Sequence, residues 1–134
     1  MRTITAVFFV SMAIATFVLL QCTAKATTQP SIQSSPYLIE RVKNNDWTLI
    51  DVRSPEEFAE GHIPGAINMP YDAIDDYISE LDGNKEKPVI VYCRSGRRAK
   101  LAMKVLQALD FSEVIHLEGD MLGWSAAGLP VDRM

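Results

Sequence analysis

One short segment of the chain combines a nucleophile with several cations: Cys93-Arg94-Ser95-Gly96-Arg97-Arg98. The reactive form of a cysteine is the thiolate, and nearby positive charge stabilises it. Gly96 permits a tight loop whose backbone N–H groups turn inward and bind an anion. Arginine suits an oxyanion because its planar fork of donors is rigid and stays protonated. The segment therefore predicts a thiolate nucleophile beside a site for a small anion.

The position of Cys93 between two predicted elements supports this interpretation. It directly follows the apolar run 89–92, and a stretch with helical periodicity begins soon after the loop. The N-terminal end of a helix presents free N–H groups and the positive end of its dipole. In open parallel sheets, ligands bind beyond the carboxyl ends of the strands. Both features place Cys93 where an active site is expected.

Apolar runs and amphipathic stretches alternate along the chain from residue 36 onwards. Buried strands are predicted at 47–52, 89–92 and 114–117, with at most a brief strand at 66–69. Helices are predicted over 36–43, from 55 to a stop at Gly61, over 71–81 and around 101–109. This alternation predicts an α/β fold with a mostly parallel central sheet flanked by helices on both faces.

The first two helices carry sequence signals at their starts. Ser35-Pro36 supplies an N-cap residue followed by proline at the first helical position. Ser54-Pro55-Glu56-Glu57 adds the glutamate of a capping box three residues after its serine. Each signal fixes the beginning of one predicted helix.

The N-terminal segment 1–26 has the pattern of a secretory signal. Arg2 precedes an uncharged, mostly apolar run at 4–20, and Ala24-Lys25-Ala26 offers a small-residue cleavage motif. The apolar run has 17 residues, the lower limit for spanning a bilayer. We expect a soluble periplasmic or secreted protein first, a lipoprotein anchored at Cys22 second, and an uncleaved membrane anchor third.

Removal of this signal would change the charge and the cysteine count of the chain. The full sequence has 13 basic and 17 acidic residues, and loss of Arg2 and Lys25 leaves 11 basic residues and a net charge of −6. A domain this acidic is a poor match for the phosphate backbone, so we expect no nucleic-acid partner. Cys93 would be the only cysteine left, and an odd cysteine in an exported domain is a candidate reactive thiol. The residues that follow it argue against a buried structural cysteine.

The sequence divides into three parts on these grounds. Segment 1–26 is the expected signal peptide, and 27–35, rich in Thr, Gln, Ser and Pro, is the expected flexible leader. Residues 36–134 form the expected single domain.

Three segments of that domain resemble the single-domain rhodaneses. The family's active-site loop is a strand, then Cys-Arg-Ser-Gly-x-Arg, then a helix, which is similar to VIVYCRSGRRA at 89–99. LIDVRSPEEFAEGHIPGAINMP at 49–70 is similar to an upstream signature, and LEGDMLGWSAAGLPV at 117–131 to the closing motif. One departure is Asp120, where the family usually has a second glycine. We expect this change to affect the local turn rather than the chemistry.

The resemblance implies a rhodanese-like fold and a sulfurtransferase. Cys93 would attack the outer sulfur of thiosulfate, or take sulfur from a persulfide donor, and carry it as a persulfide to cyanide or a thiol. Arg94, Ser95, Gly96, Arg97 and Arg98 would bind the substrate, with Arg94 and Arg98 the better candidates and the loop amides holding the persulfide anion. The expected partners are a small anionic sulfur donor and a thiophilic acceptor. We expect a monomer with no cofactor and no metal, and contact with a membrane only through a lipid on Cys22 or an uncleaved signal.

Two alternatives stay open at this point. An arsenate reductase or phosphatase on the same fold is the enzyme alternative. Related phosphatases have five residues between cysteine and arginine, whereas four separate Cys93 from Arg98, and the smaller loop favours sulfur. The other alternative is a partner-specific sulfur-relay or binding module, although members with only a binding role usually lack the cysteine.

Four further polar residues are given structural roles. Asp51 and Arg53 end a predicted strand and are expected to form an ion pair or to bind backbone amides. His62 is expected to fix the turn at Gly61–Gly65 by hydrogen bonding. His116 is expected to be structural, because two isolated histidines and one cysteine lack the spacing of metal ligands.

Overall fold

The computed structural model describes residues 28–81, 83 and 85–134, and within them five strands form one sheet. The strands are β1 (Ser31–Ile32), β2 (Thr48–Asp51), β3 (Ile67–Asn68), β4 (Val89–Tyr92) and β5 (Val114–Leu117). Their order across the sheet is β1-β5-β4-β2-β3, and every neighbouring pair is parallel. The mostly parallel sheet predicted from the sequence is confirmed.

Helices cover both faces of this sheet. They are α1 (Pro36–Lys43), α2 (Pro55–Glu60), α3 (Ile74–Leu81), α4 (Arg97–Ala108) and α5 (Asp120–Ala126). Successive side chains of a strand point to opposite faces, so Leu49 and Ile90 pack with α1 and α5. Ile50 and Val91 pack with α3 and α4 on the other face. The two central strands, β2 and β4, are buried on both sides.

The starts of the helices show which local sequence signals were sufficient to predict where a helix begins. α1 spans the predicted residues, and the capping box at α2 is present: Glu57 N–H donates to Ser54 Oγ at 3.3 Å, and Ser54 N–H donates to Glu57 Oε2 at 3.1 Å. α3 begins three residues later than predicted, because Ala73 N–H bonds Pro70 O in a turn that precedes it. α5 was not predicted, since its seven residues include Gly123 and show no clear amphipathic pattern.

The expected flexible leader over 27–35 is corrected by β1. Ser31 and Ile32 pair with His116 and Leu117 of β5. The polar side chains of this segment have partners too, because Ser31 Oγ and Gln33 Nε2 donate to the two carboxylate oxygens of Glu118 at 2.5 and 2.7 Å. Residues that resembled a linker in composition therefore add an edge strand to the sheet.

The predicted signal, with its candidate lipidation site Cys22, lies outside the described residues. In the described part of the chain, no helix combines the length and the hydropathy required to cross a bilayer.

Candidate active site

Cys93 lies immediately after β4, at the carboxyl edge of the sheet. Its side chain is almost fully buried, with 1% exposed, and it is a free thiol. Gly96 N–H donates a hydrogen bond to Cys93 Sγ at 3.0 Å. Gly96 has a φ of 106°, a conformation that side chains rarely adopt, so the tight loop requires glycine here. The sulfur is thus bound by a backbone donor of its own loop.

The 12-residue helix α4 starts at Arg97, directly after the loop. Lys100 N–H bonds the carbonyl of Gly96 and closes the first turn. The first turn contains no acidic side chain, so the N–H groups and the positive dipole end of α4 face the loop without a competing carboxylate on that turn. This arrangement stabilises negative charge on Cys93 or on an anion beside it.

The loop is also held by the turn that opens α5. Met121 N–H and Leu122 N–H donate to the carbonyls of Cys93 and Arg94 at 3.0 and 3.2 Å. Cys93 N–H donates to the side chain of Asp120, to Oδ1 at 2.9 Å. From the sequence, Asp120 is expected to affect the local turn rather than the chemistry, and the structure adds that its side chain binds the backbone of Cys93. The sequence did carry a signal for this contact: an acidic residue stands at a position where the resemblance implies glycine.

The residues predicted to bind substrate have different environments. Arg94, Ser95 and Arg97 are exposed, and their side chains form no hydrogen bond or ion pair with any other residue that the structure describes. Arg98 is partly buried, and its fork is occupied: Nη1 and Nη2 bind Glu57 Oε2 and Oε1 at 2.6 and 2.9 Å. Their roles toward a substrate stay predictions.

Glu57 joins the start of α2 to the start of α4, a link that sequence reasoning missed. The charged hydrogen bonds from Arg98 hold the pKa of Glu57 at about 2, and the bond from Ser54 N–H acts in the same direction. Glu57 in turn raises the pKa of Arg98, and the charge of Cys93 adds to this effect. Arg98 is therefore a fixed cation between Glu57 and the reactive loop.

A pocket of about 350 Å³ opens beside this pair. Its lining comes from the segments that follow β2 and β3 together with Arg98, and includes Arg53, Ser54, Tyr71 and Asp72. Since these segments lie at the carboxyl edge of the sheet, the pocket offers a small molecule room on the Arg98 side of the loop.

Asp51 and Arg53 form the expected structural ion pair. Both are buried, Arg53 Nη2 lies 2.6 Å from Asp51 Oδ2, and it also donates to Gly61 O at 2.7 Å. The expected turn-fixing hydrogen bond of His62 is confirmed, since its Nδ1 lies 2.9 Å from Phe58 O. His116 Nε2 lies 2.9 Å from Asp120 Oδ2, which brings this histidine close to the Cys93 loop. Among the described residues, no group of three or more His, Cys, Asp or Glu side chains could hold a metal ion.

The family model for the rhodanese-like domain matches residues 34–127. The chain therefore belongs to the rhodanese-like family, as its three motifs implied.

The relatives of the chain within this family have different names and lengths. It is 37% identical to a sulfurtransferase of Allochromatium vinosum over 86 residues, which cover 64% of this chain and 78% of the relative. It is 42% identical to an HTH-type transcriptional regulator of Mycobacterium tuberculosis over 97 residues, 72% of this chain but only 42% of the regulator. The crystal structure of a thiosulfate sulfurtransferase from Pseudomonas aeruginosa is similar with a TM-score of 0.69 and 26% identity, over 78% of this chain and 20% of that protein. This chain thus spans less than half the length of the Mycobacterium regulator and of the Pseudomonas protein.

Proposed function

We propose that this chain is a sulfurtransferase that moves sulfane sulfur from thiosulfate or a persulfide donor to cyanide or a thiol. The observation that carries the proposal is the environment of Cys93. Its sulfur accepts a backbone hydrogen bond at the N-terminal end of α4, at the carboxyl edge of a parallel sheet. The names of the relatives in Allochromatium and Pseudomonas support the same reaction class.

The first half of the reaction forms the persulfide. The Cys93 thiolate attacks the outer sulfur of thiosulfate, a new S–S bond forms, and the S–S bond of thiosulfate breaks with its electron pair leaving on sulfite. The N–H of Gly96 and the free N–H groups at the start of α4 stabilise the anionic sulfur. When the thiolate is the reacting form of Cys93, the attack needs no general base.

The second half returns the enzyme to its starting state. A nucleophilic acceptor, cyanide or a thiolate, attacks the terminal sulfur of the Cys93 persulfide. The persulfide bond breaks, the Cys93 thiolate leaves, and thiocyanate or an acceptor persulfide is released. Atoms and charges balance without an oxidant or a reductant.

The exposed arginines are the better candidates for contact with the incoming anion. Arg94 and Arg97 are exposed beside Cys93, and their donors are free of other described side chains. Both end nitrogens of Arg98 bind Glu57. We propose that Arg98 supplies fixed positive charge to the loop, while Arg94 and Arg97 meet the donor.

A partner-specific sulfur relay is a second candidate. The Cys93 side chain is only 1% exposed, so a protein acceptor must reach it through the loop and its arginines. A rim with two arginines that have no ion-pair partner among the described residues favours an acidic acceptor. This candidate shares the Cys93 persulfide and differs only in its acceptor.

Mass spectrometry of the purified protein after thiosulfate treatment tests the proposal. Cys93 should gain about 32 Da, one sulfur, and dithiothreitol should remove it. Cys93→Ser should show no adduct and no thiocyanate formation, while exposed Lys43→Ala on α1 serves as a matched control. An adduct with slow transfer to cyanide would favour the relay. Thiocyanate formation that survives in Cys93→Ser would refute both.

The compartment and partners rest on the sequence pattern. We propose an exported, periplasmic or secreted domain that meets small sulfur anions outside the cytoplasm. Support comes from the charged start, apolar run and small-residue motif of segment 1–26.

A further inference from the structure

The turn that opens α5 makes one bond to the reactive loop that depends on the residue at position 120. The carbonyls of Cys93 and Arg94 accept from Met121 N–H and Leu122 N–H, and these bonds use backbone groups only. The bond from Cys93 N–H to Asp120 Oδ1, at 2.9 Å, requires a side-chain acceptor. Because β4 ends one residue earlier, the sheet ladder does not satisfy this N–H. A glycine at position 120 would leave it without this partner.

Asp120 occupies this position at a cost. Its φ of 52° is in the left-handed region, which side chains rarely adopt. It is only 1% exposed, and a buried carboxylate is unfavourable unless it is paired and hydrogen-bonded. Glycine would avoid both costs. A buried acidic residue with a positive φ beside a reactive cysteine indicates a functional role rather than a packing role.

His116 completes the surroundings of this carboxylate. Its Nε2 lies 2.9 Å from Asp120 Oδ2, so one carboxylate oxygen binds the backbone of Cys93 and the other binds His116. The pair also lies against Gly96: a Cβ added to Gly96 would be 3.0 Å from Asp120 Oδ2 and 3.4 Å from His116 Cε1. Gly96 is the residue whose N–H donates to Cys93 Sγ. The pair therefore lies beside both residues that form the hydrogen bond to the sulfur, Cys93 and Gly96.

The charge of the pair must be compatible with an anionic sulfur. A lone carboxylate next to the loop would oppose an anionic sulfur, and a hydrogen bond donated by His116 would offset part of that effect. Lys100 and Lys104 of α4 line a pocket of about 260 Å³ together with His116, and they add positive charge on that side. Glu118 lies between His116 and Asp120 in the sequence. Its carboxylate accepts hydrogen bonds from the side chains of Ser31 and Gln33.

We propose that Asp120 and His116 form a positioning pair for the Cys93 loop. Asp120 fixes the amide of Cys93, His116 fixes the carboxylate, and the two together confine Gly96 so that its N–H points at the sulfur. Neither residue touches the sulfur donor. The expected effect on the rate rests on the proposed sulfur transfer. The expected effect on the backbone of the loop rests on the hydrogen-bond geometry alone.

Single-turnover release of sulfite from thiosulfate tests the kinetic consequence. Asp120→Gly should slow sulfite release about tenfold, the effect of one lost charge-assisted hydrogen bond, while Asp120→Asn, which keeps an oxygen acceptor, should lose about threefold or less. The matched control is Asp110→Gly, since Asp110 also has a positive φ, 65°, but lies exposed at the far end of α4. Melting temperatures measured in parallel separate slow transfer from lost folding.

A double-mutant cycle tests whether the two residues act together. His116→Ala alone should slow sulfite release, but adding it to Asp120→Gly should cause little further loss, because His116 has already lost the carboxylate that it holds. Wild-type rates in Asp120→Gly, or effects of the two changes that add fully, would overturn the proposal. So would an Asp120→Asn variant as slow as Asp120→Gly.

A measurement of the backbone separates this proposal from the proposed function. In ¹⁵N-labelled protein, Asp120→Gly should move the Cys93 amide proton upfield and speed its exchange with solvent, whereas Asp110→Gly should not. Unchanged Cys93 and Gly96 amides in Asp120→Gly would refute the positioning role even if sulfur transfer is confirmed. If the wild-type protein releases no sulfite, the proposed function fails, and these amide measurements still decide the positioning role.

Discussion

Replacement of Glu57 by glutamine should destabilise the fold at neutral pH and have less effect in acid. Glutamine keeps the side-chain acceptor that the capping box requires, so the variant removes the charge rather than the cap. What it weakens is the bidentate ion pair with Arg98, whose two N–O distances are 2.6 and 2.9 Å. The pair joins the starts of α2 and α4, and α4 carries the reactive loop at its N-terminal end.

The expected size follows from the pKa of Glu57. Hydrogen bonds from Arg98 first, and from Ser54 N–H, lower this pKa from 4.5 to about 2. The ionised carboxylate therefore stabilises the folded state above pH 4.5, and this contribution is lost as the pH falls toward 2. If expressed in full, such a shift would correspond to about 3 kcal/mol. The Glu57 side chain is 30% exposed, so solvent screening reduces the expected loss in the free energy of unfolding to about 1 kcal/mol.

Urea unfolding followed by tryptophan fluorescence measures this loss between pH 7 and pH 2.5. The matched control is Glu56→Gln, which changes the neighbouring carboxylate in the first turn of α2, a side chain that has no arginine partner among the described residues. Glu57→Gln should cost more stability than Glu56→Gln at pH 7, and the gap should narrow as the pH falls below 4.5. If the two variants differ in their free energy of unfolding by the same amount at pH 7 and at pH 2.5, the ion pair does not contribute as its geometry implies.

The other predictions concern the donor site and the compartment. Arg94→Ala and Arg97→Ala should each raise the KM for thiosulfate by about tenfold, since each removes a charge-assisted contact, whereas exposed Arg133→Ala should not. The rate of thiocyanate formation, measured at a series of thiosulfate concentrations, gives each KM. If all three variants have the same KM, neither Arg94 nor Arg97 binds the donor. Cell fractionation with mass spectrometry should find a soluble periplasmic chain that begins at Thr27. A lipid on Cys22 would instead support a lipoprotein. A cytoplasmic chain that keeps its initiator methionine would contradict export.

The central strands and the place of Cys93 could be predicted because their signals are local. The VIVY run of β4 is apolar and β-branched, as buried parallel strands require, and Cys93 follows it directly. The capping box at Ser54 is likewise contained in four residues. In each case the residues that carry the signal also make the structure, so no distant part of the chain had to be known.

The contacts that hold the loop could not be predicted, because they join residues far apart in sequence. Glu57 and Arg98 are 41 positions apart, and Cys93 and Asp120 are 27 apart. β1 was missed for a related reason: its two residues become a strand only because β5 lies beside them. α5 was missed because its start depends on two successive left-handed residues, Gly119 and Asp120, which leave no periodic pattern.

The two edges of the sheet have a consequence for behaviour at high concentration. β1 and β3, which form these edges, are each only two residues long. A long, flat edge strand offers a row of unpaired N–H and C=O groups on which another chain can add a strand, and very short edge strands prevent this. The four-residue strands β2, β4 and β5 lie inside these short borders, and β2 and β4 are fully buried. The sheet is thereby poorly suited to edge-to-edge growth, which protects the apolar β4 run from templating aggregates.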